Sequence, residues 1–468
     1  MELPFSPTVG LQLEPALRRG IRQAQATGQP VLVSVAEPSI SFDPIQVFER
    51  AASVTAERNL WFQPDEDFAL VGLGSAHTVE ALNGTRFAEV STAWRQVLSQ
   101  TVLKDPRGML GIGPLLLGGF TFDAHRPATE LWDGFPSGRM VLPSVLLTRY
   151  QEESWLTYNV MVEADTDPEE AMEALSALVE KALEESDAPW RDDVAPVMVK
   201  TQELRPGLAW QADVAKAAQN IEQGGLEKVV LARAVQISAK ENFDAGRALR
   251  ELAAHYTGCY IFAFAHAERC FLGATPERLA RLRTGEVRTM SLAGSIRRGK
   301  TLDEDRQLGQ TLLNSAKDRH EHRVVIKAIV EALYPLCTTL TVGETQLLKL
   351  GNIQHLSTPI SGELADGQTI LDLVERLHPT PAVGGRPREA ALKFIREHEK
   401  LDRGWYAAPV GWVDHRGQGE FAVALRSALL RGNHATLFAG CGIMADSDPE
   451  REYAESNLKL KPMLNALT

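Results

Sequence analysis

The sequence predicts a mixed α/β fold, and three observations support this prediction. Short apolar segments such as Pro30–Val35 and Phe68–Leu73 have the length and residue types of β-strands. Amphipathic segments of helical period, such as Val90–Val102, lie between them. The length of 468 residues and the apolar content of 44% are enough to bury at least one large core.

The first half of the chain ends in a segment with the composition of a linker. Closely spaced glycines between Gly111 and Asp123 predict a strand-and-turn block in which the backbone bends or approaches a neighbour closely. An acidic helix is predicted over Pro168–Glu185, and the polar stretch 186–193 follows it. We place a boundary near residues 190 to 205, which divides one compact unit into a scaffold half, 1–200, and a catalytic half, 205–468.

The second half continues the alternation of strands and helices, without internal repeats or low-complexity tracts. Its predicted strands include Lys228–Ile237 and Cys259–His266, and its predicted helices include Trp210–Gln223 and Ala316–Leu336.

The chain ends in a predicted short helix with a charged face. Pro449 suits its first turn, and any of three residues can cap it: Asp446, Ser447 or Asp448. Three charged residues then share one face: Glu452, Glu455 and Lys459. Two acids and a lysine in this arrangement can hold a divalent cation and an anion together. The alternative is a solvated face with i,i+4 ion pairs, so other parts of the chain must decide.

Composition excludes several classes of function. The net charge of −12 argues against a nucleic-acid surface, which needs clustered Lys and Arg. No apolar run reaches the roughly 18 residues needed to span a bilayer, and the start Met1-Glu2-Leu3-Pro4 does not resemble a signal peptide, so we expect a cytoplasmic protein. The cysteines lack CxxC spacing, which indicates buried thiols instead of a zinc site or disulfides: Cys259, Cys270, Cys337 and Cys441.

Familiar catalytic motifs are also missing from the sequence. The stretch Gly440-x-Gly442-x-x-Ala445 superficially fits a dinucleotide fingerprint, but the chain ends before the acidic residue expected about 20 positions later. Neither a Walker A motif nor a G-x-S-x-G elbow occurs. His320, Glu321 and His322 cannot all ligate one ion from adjacent helical positions, and no H-E-x-x-H motif is present.

Four side chains remain candidates for chemistry, and two of them, Lys228 and Glu277, have a plainer alternative. Lys228 begins an apolar strand and is either a snorkelling edge residue or an amine desolvated enough to act as a base. Glu277 follows Pro276 in a turn and is either a projecting acid or half of a surface pair with Arg278. Oxygen ligands from Glu321 and Glu455 would suit Mg²⁺.

Taken together, these residues resemble the chorismate-utilising enzymes, and among them the isochorismate synthases of the menaquinone type. The resemblance covers essentially all of residues 205 to 468, and the Gly118-Gly119-Phe120 block looks like the N-terminal half of the family. The matching stretches, in order, are Lys228–Arg233, Gly273–Glu277, Leu292–Ser295, Glu321-His322, Gln354–Leu356, Leu377–Gly385, Asp402–Tyr406, Ala424–Ala428 and Gly440–Lys459.

The resemblance implies a fold and a reaction. The expected fold is two stacked antiparallel sheets between helical layers. The expected reaction is the Mg²⁺-dependent isomerisation of chorismate to isochorismate, in which water adds at C2 and the C4 hydroxyl leaves. Lys228 matches the base that activates water, which requires a lowered pKa, and Glu277 matches the acid that protonates the leaving hydroxyl.

The resemblance also implies ligand contacts. Glu321 and Glu455 match the Mg²⁺ ligands, and Glu452 is expected to hold a metal-bound water. The other expected contacts are to the substrate: Arg426, Gly440 and Lys459 around the enolpyruvyl carboxylate, Gly294 and Ser295 at the ring carboxylate, and His355 against the ring.

Related reactions differ in small features of the sequence. Ammonia-using relatives need no water-activating lysine, and they carry Thr-Arg-Pro-Arg-Gly after the Ala-Gly pair, where this chain reads Ser295-Ile296-Arg297-Arg298-Gly299. A salicylate synthase, a siderophore-pathway isochorismate synthase and a non-catalytic chorismate binder stay open as alternatives. Chorismate is the only partner expected, and the protein is expected to be a monomer or a homodimer.

Overall fold

We analysed a computed structural model that describes residues 8–82, 84–104, 108–126, 129–184, 196–351 and 353–468. The described residues form eleven α-helices. In chain order they are α1 (Thr8–Thr27), α2 (Pro44–Arg50), α3 (Arg86–Ser99), α4 (Pro168–Leu183), α5 (Gly207–Glu222), α6 (Ala245–His255), α7 (Leu302–Asn314), α8 (Ala316–Leu333), α9 (Ile370–Leu377), α10 (Arg388–His398) and α11 (Pro449–Leu467).

Two large sheets are built from the strands of the same residues. The strands are β1 (Val31–Pro38), β2 (Arg58–Gln63), β3 (Phe68–Leu73), β4 (His77–Ala81), β5 (Thr101–Lys104), β6 (Leu115–Phe120), β7 (Gly138–Leu142), β8 (Val145–Tyr150), β9 (Glu153–Val162), β10 (Lys200–Glu203), β11 (Lys228–Ser238), β12 (Tyr260–His266), β13 (Arg269–Thr275), β14 (Arg278–Arg283), β15 (Glu286–Arg297), β16 (Cys337–Val342), β17 (Gln346–Lys349), β18 (Ile353–Leu364), β19 (Gly385–Arg386), β20 (Pro409–Asp414), β21 (Gly419–Val423), β22 (Ser427–Arg431) and β23 (His434–Ile443).

Strands from both halves of the chain pair with each other in each sheet. The 13-stranded sheet has the order β10-β11-β23-β22-β13-β12-β2-β3-β8-β9-β1-β5, with β19 beside β11. The 10-stranded sheet has the order β16-β18-β15-β14-β21-β20-β6-β7-β4, with β17 beside β18. The pairs β2–β12 and β6–β20 join the halves by backbone hydrogen bonds.

The two sheets stack face to face with helices outside both of them. Phe68 of the larger sheet packs against Trp412 of the smaller one, with ring centroids 5.9 Å apart, within a core that runs between the sheets. A second core lies between the larger sheet and its covering helices, which include α1, α6 and α11. Helices α3, α8 and α9 cover the smaller sheet. The predicted fold class is therefore confirmed, apart from one parallel pair, β1 with β5.

Several predicted elements agree with the observed bounds, and others shift by a few residues. The strand Phe68–Leu73 is observed as predicted, whereas the predicted helix Val90–Val102 is observed as Arg86–Ser99. The C-terminal helix is capped by Asp448, whose carboxylate accepts a hydrogen bond from Arg451 N at 2.9 Å. It is a helix of 19 residues and not a short one. The predicted linker 186–193 lies outside the described residues. The helix before it, predicted as Pro168–Glu185, is observed as Pro168–Leu183.

The cysteines and the helices can be compared with what the composition predicts. Cys259, Cys270 and Cys441 are buried, as predicted, whereas Cys337 is only partly buried. Within the described ranges, none of the helices combines the length and the apolar character that crossing a bilayer requires.

Candidate active site

One cleft in the described part of the chain collects every site residue that the sequence predicts. It encloses about 910 Å³, part of which is open to solvent. Its lining includes Lys228, Glu277, Gly294, Ser295, Glu321, His355, Arg426, Gly440, Glu452, Glu455 and Lys459. These residues come from six strands or strand ends and two helices, so the fold brings together positions that lie far apart in the sequence.

Lys228 is the first residue of β11 and is almost inaccessible to solvent. Its side chain is 1% exposed, which excludes the snorkelling edge residue. Its Nζ donates a hydrogen bond to Glu321 Oε1 at 2.7 Å, so strand β11 and helix α8 are joined by an ion pair inside the cleft. A buried ammonium group needs such a partner, because the cost of removing an unpaired charge from water is several kcal/mol (about 3–5 in typical cases).

Glu277 is a buried acid in the turn between β13 and β14. It is only 5% exposed, and Arg278 pairs with Glu420 and Glu66 instead of with Glu277, so the surface-pair alternative is wrong. Burial raises the pKa of the Glu277 carboxyl to about 7. The positive charges of Lys228, Arg426 and Lys459 act in the opposite direction but do not outweigh burial. Glu277 can therefore carry a proton near neutral pH and donate it.

Carboxylates from α8 and α11 face the same part of the cleft. Burial, followed by the negative charge of Glu455, raises the pKa of Glu452 to about 7, and a hydrogen bond from Ser447 Oγ at 2.8 Å opposes this. Burial also raises the pKa of Asp318, and the charges of Glu321 and Glu455 contribute to that rise. A divalent cation bound among these carboxylates would relieve their mutual repulsion.

Among the described residues, no three His, Cys, Asp or Glu side chains converge closely enough to enclose an ion by themselves. Magnesium, however, is usually held by one or two carboxylates, with water and substrate oxygens completing its coordination. Two ligands from Glu321 and Glu455, with Glu452 contacting a water, are compatible with that pattern.

Lys459 and Gly440 form a cationic corner beside this acidic group. Lys459 Nζ lies 2.7 Å from Glu455 Oε1 and donates to the Gly440 carbonyl oxygen at 3.0 Å. Burial alone would lower the pKa of Lys459, but the Cys441 thiol and the Glu455 carboxylate raise it above its usual value. Lys459 is therefore a permanent positive charge inside the cleft.

Arg426 is the second cation in the cleft, and it is held by an unusual backbone. Its φ of 47° lies in the left-handed region, where residues other than glycine are uncommon and often functional. Its side chain makes no hydrogen bond or ion pair with any described residue, although the group lines the cleft. An unpaired guanidinium in this position is suited to bind a carboxylate from a ligand.

A polar pair lines the cleft at a bulge in β15. The register between β15 and β18 shifts between Ala293 and Ser295, where Gly294 adopts a φ of 80°. Ser295 Oγ lies 2.8 Å from His355 Nδ1 on the neighbouring strand. Burial, followed by the charges of Arg426 and Lys459, holds the pKa of His355 well below its usual range, so the ring is neutral. Its Nε2 is buried without a partner among the described residues.

Some lining residues were not predicted as site residues. Lys317 and Asp318 precede Glu321 on α8, and Asp318 falls three positions before it on the same face. This spacing in the polar start of the helix is the signal that could have revealed Asp318. Arg403 and Tyr406 also line the cleft, but only their membership in the Asp402–Tyr406 stretch pointed to them.

Comparison with known families agrees with this geometry. A model of the family described as chorismate binding enzyme matches residues 19–468. The chain belongs to the chorismate-binding enzymes. The predicted resemblance to this family, and the prediction that the protein is an enzyme, are thereby confirmed.

Several chorismate-binding enzymes resemble the chain over nearly its whole length. The salicylate biosynthesis isochorismate synthase of Pseudomonas aeruginosa is 40% identical over 460 residues, which cover 97% of this chain and 94% of the relative. Isochorismate synthase MenF of Bacillus subtilis is 36% identical over 454 residues, 96% of each chain. The structure of the menaquinone-specific isochorismate synthase MenF of Escherichia coli matches with a TM-score of 0.78 and 27% identity, covering 97% of this chain and 100% of that one. The predicted resemblance to isochorismate synthases is confirmed.

Proposed function

We propose that this protein is a Mg²⁺-dependent isochorismate synthase, which converts chorismate to isochorismate. The observation that carries the proposal is the pairing of a buried acid with a buried lysine in one cleft: Glu277 has a pKa of about 7, and Lys228 is 1% exposed. Addition of water and loss of hydroxide need one group that accepts a proton and one that donates it. A protein that only bound chorismate would need neither.

The proton transfers are assigned to these two side chains. Lys228 removes a proton from water as the oxygen attacks C2 of the ring. The double bonds shift, the bond from C4 to its hydroxyl breaks, and Glu277 donates the proton that lets the hydroxyl leave as water. The reaction is an isomerisation, since one water enters and one leaves.

The ion pair between Lys228 and Glu321 has to break before Lys228 can act as a base. The ammonium form is the one that pairs with Glu321, so Lys228 must lose a proton and separate from Glu321 before it accepts one from water.

The two carboxylates of chorismate are assigned to the two ends of the cleft. The unpaired Arg426 guanidinium and the Lys459 ammonium supply charge for the enolpyruvyl carboxylate, beside the backbone of Gly440. Gly294 and Ser295 line the end assigned to the ring carboxylate, and His355 contacts the ring as a neutral side chain. Fixing both ends of the substrate sets its ring between the acid and the base.

The donor set of the cleft fits a magnesium ion. Glu321 and Glu455 would hold it and Glu452 would contact one of its waters, because hard oxygen ligands are those that Mg²⁺ prefers. The ion, when bound, would neutralise the ring carboxylate and the repulsion among these acids. Its ligation by Glu321 would also compete with the contact between Glu321 and Lys228.

Product analysis tests the proposal directly. The protein is incubated with chorismate, with and without MgCl₂ and with and without ammonium, and the products are separated by chromatography. Isochorismate alone, formed only with the metal, is the expected result. Salicylate with pyruvate would identify a salicylate synthase, an aminated product would identify an ammonia-using enzyme, and binding without turnover would leave a non-catalytic binder.

We further propose that the product serves menaquinone biosynthesis. Two relatives that match nearly the whole chain are named MenF, although the Pseudomonas relative is named for salicylate biosynthesis. Deleting the encoding gene and measuring menaquinone by mass spectrometry tests this proposal, and unchanged menaquinone would reject it. The division into halves at 1–200 and 205–468 and the monomeric or homodimeric state remain proposals, the second of which sedimentation can test.

A further inference from the structure

A second cavity lies behind the strand that carries Lys228. It measures about 700 Å³, part of which is open to solvent, and is bounded by the middle of α8, the end of α9, the loop after it, β19 and the start of α10. This volume is in the range of sites for small molecules. The described side chains that line it include three arginines, Arg376, Arg386 and Arg388, against one acid, Glu331.

Two of the three arginines have no protein partner. Arg386 is occupied, because it pairs with Glu331 at 3.1 Å and with Glu227 at 3.3 Å. Neither Arg376 nor Arg388 makes a hydrogen bond or an ion pair with any described residue. Both side chains are exposed, so the wall of the cavity presents two guanidinium groups that no described residue pairs with directly.

The positive groups of this cavity lie close enough to influence each other. Burial lowers the pKa of Arg388, and the charge of Arg376 adds to this, although Glu389 and Glu375 oppose it. Arg388 in turn helps to lower the pKa of the buried Arg86, for which burial is the main cause. Cations that repel one another at a cavity wall are stabilised when an anion binds between them.

Helix α10 and Thr380 add neutral donors to the same wall. Helix α10 has 11 residues and starts at Arg388 after Pro387, which provides no side-chain cap, so the first backbone N–H groups of the helix lack partners within it. Thr380 lines the cavity, is 6% exposed, and has a hydroxyl without a hydrogen-bond partner in the described residues. A helix N-terminus, two free guanidinium groups and a hydroxyl are the donors that carboxylates and phosphates bind.

The wall of this cavity is hydrogen-bonded to the Lys228 strand. Arg386 O accepts from Glu227 N at 2.8 Å, and Gly384 O accepts from Val230 N at 2.9 Å, so the two bonds flank Lys228. A Cβ on Gly385 would approach the Lys228 carbonyl oxygen to 2.4 Å, which shows how closely the two strands lie. Ordering the segment 384–388 around a ligand therefore orders the backbone of Lys228.

We propose that this cavity is a second binding site, which takes a small metabolite anion with carboxylate or phosphate groups and thereby stabilises the strand of Lys228. The anion would contact Arg376 and Arg388 and the N-terminus of α10. Binding of the anion does not depend on the proposed isomerisation, because the site lies outside the cleft that contains Glu277 and Arg426.

Calorimetry of the full chain with two probes tests the site. Inorganic phosphate and succinate are titrated separately into protein with Arg426→Gln, a background that weakens anion binding in the main cleft. Saturable binding of at least one probe is expected, and the probe that binds identifies the class of anion. The added pair Arg376→Gln and Arg388→Gln should weaken it at least tenfold (~10-fold or more for two charged contacts). The matched pair Arg19→Gln and Arg306→Gln removes the same charge from exposed positions outside the cavity and should change the affinity by less than about twofold.

Hydrogen exchange gives the second measurement. The bound probe should slow exchange of the amides of residues 227–231 in the background and in the matched control, but not after loss of Arg376 and Arg388. The proposal is overturned if neither probe saturates, or if both pairs of substitutions weaken binding equally. Binding without slower exchange at 227–231 would overturn the link to the Lys228 strand. A failure of chorismate turnover would affect none of these outcomes.

Discussion

Replacing Gly442 by alanine should disable the cleft while leaving the fold intact. Gly442 lies in β23 opposite Val230 of β11, one strand away from the lysine. A Cβ at this position would lie 2.8 Å from Glu321 Oε1, 2.8 Å from Lys228 Cε and 3.2 Å from Lys228 Nζ. Its φ is not in the left-handed region, so alanine causes no backbone strain there.

The size of the effect follows from what must move. Contacts below 3.0 Å are not tolerated, and the atoms that the methyl group meets are the ends of two side chains, which can shift more easily than backbone. Overpacking costs typically about 1–3 kcal/mol, and we expect the lower end here. A displacement of about 1 Å of a catalytic group costs on the order of 10²-fold in rate, or about 2.7 kcal/mol in the barrier.

The assay compares isochorismate formation by Gly442→Ala and by Gly258→Ala, with thermal unfolding measured for both. Gly258 is the matched control, because an added Cβ there meets only Asp65 Oδ2 at the ordinary distance of 3.6 Å. The Gly442 variant should lose about 10²-fold in kcat/KM while its Tm falls by no more than roughly 2–4 °C. Activity within threefold (about 0.6 kcal/mol) of the parent protein in a folded Gly442 variant would refute the placement of Lys228 and Glu321 at the reacting centre.

Three further predictions concern the acid, the base and the metal ligands. Lys228→Ala should abolish turnover and leave Mg²⁺-dependent chorismate binding nearly intact, because the base acts in the transition state; retained turnover would reject its role. Glu455→Ala should weaken Mg²⁺ and chorismate binding together, and unchanged Mg²⁺ affinity by calorimetry would show that the ligand is misassigned. Glu277 must be protonated to act, so kcat should fall as the pH rises through about 7, and Glu277→Gln should abolish turnover. Because its pKa is raised in the folded state, its proton stabilises the protein fully below pH 4.5, and this contribution is lost as the pH rises to about 7; in Glu277→Gln the same part of the curve of Tm against pH should be flatter.

Local signals explain which elements the sequence predicts well. The strand Phe68–Leu73 is a continuous apolar run between turn residues, and its observed bounds are the predicted ones. The start of α11 is specified by Asp448 and Pro449, whose chemistry requires no information from the rest of the fold. Where a neighbour from elsewhere decides the structure, the prediction fails: residues Thr101 and Val102 were assigned to a helix, but they pair in parallel with β1.

The site, like the fold, has features that the sequence predicts and features that depend on distant neighbours. The resemblance to the chorismate-utilising enzymes predicted which side chains share the cleft, because the matching motifs occur here in the same order. The partners of those side chains were not predictable. The 2.7 Å contact between Lys228 and Glu321 joins positions 93 residues apart, and the burial that raises the pKa of Glu277 depends on strands from both sheets. Charge state is a property of the assembled cleft.

One edge of β11 shows most clearly that the position of a site residue depends on distant parts of the chain. Between the residues that pair with β19 and those that pair with β10, one edge of β11 has no strand partner, and the buried ion pair of Arg403 with Glu399 satisfies two of its backbone groups. Arg403 donates to the Val230 carbonyl oxygen at 2.8 Å, and Glu399 accepts from Ala232 N at 2.7 Å. Arg403 also donates to the carbonyl oxygen of Val383, in the loop that separates the two cavities. A buried pair contributes little net stability, but loss of one partner leaves a charge unpaired, so this pair is better suited to fix a unique position than to strengthen the fold. The position that it fixes is that of the strand on which Lys228 is the first residue.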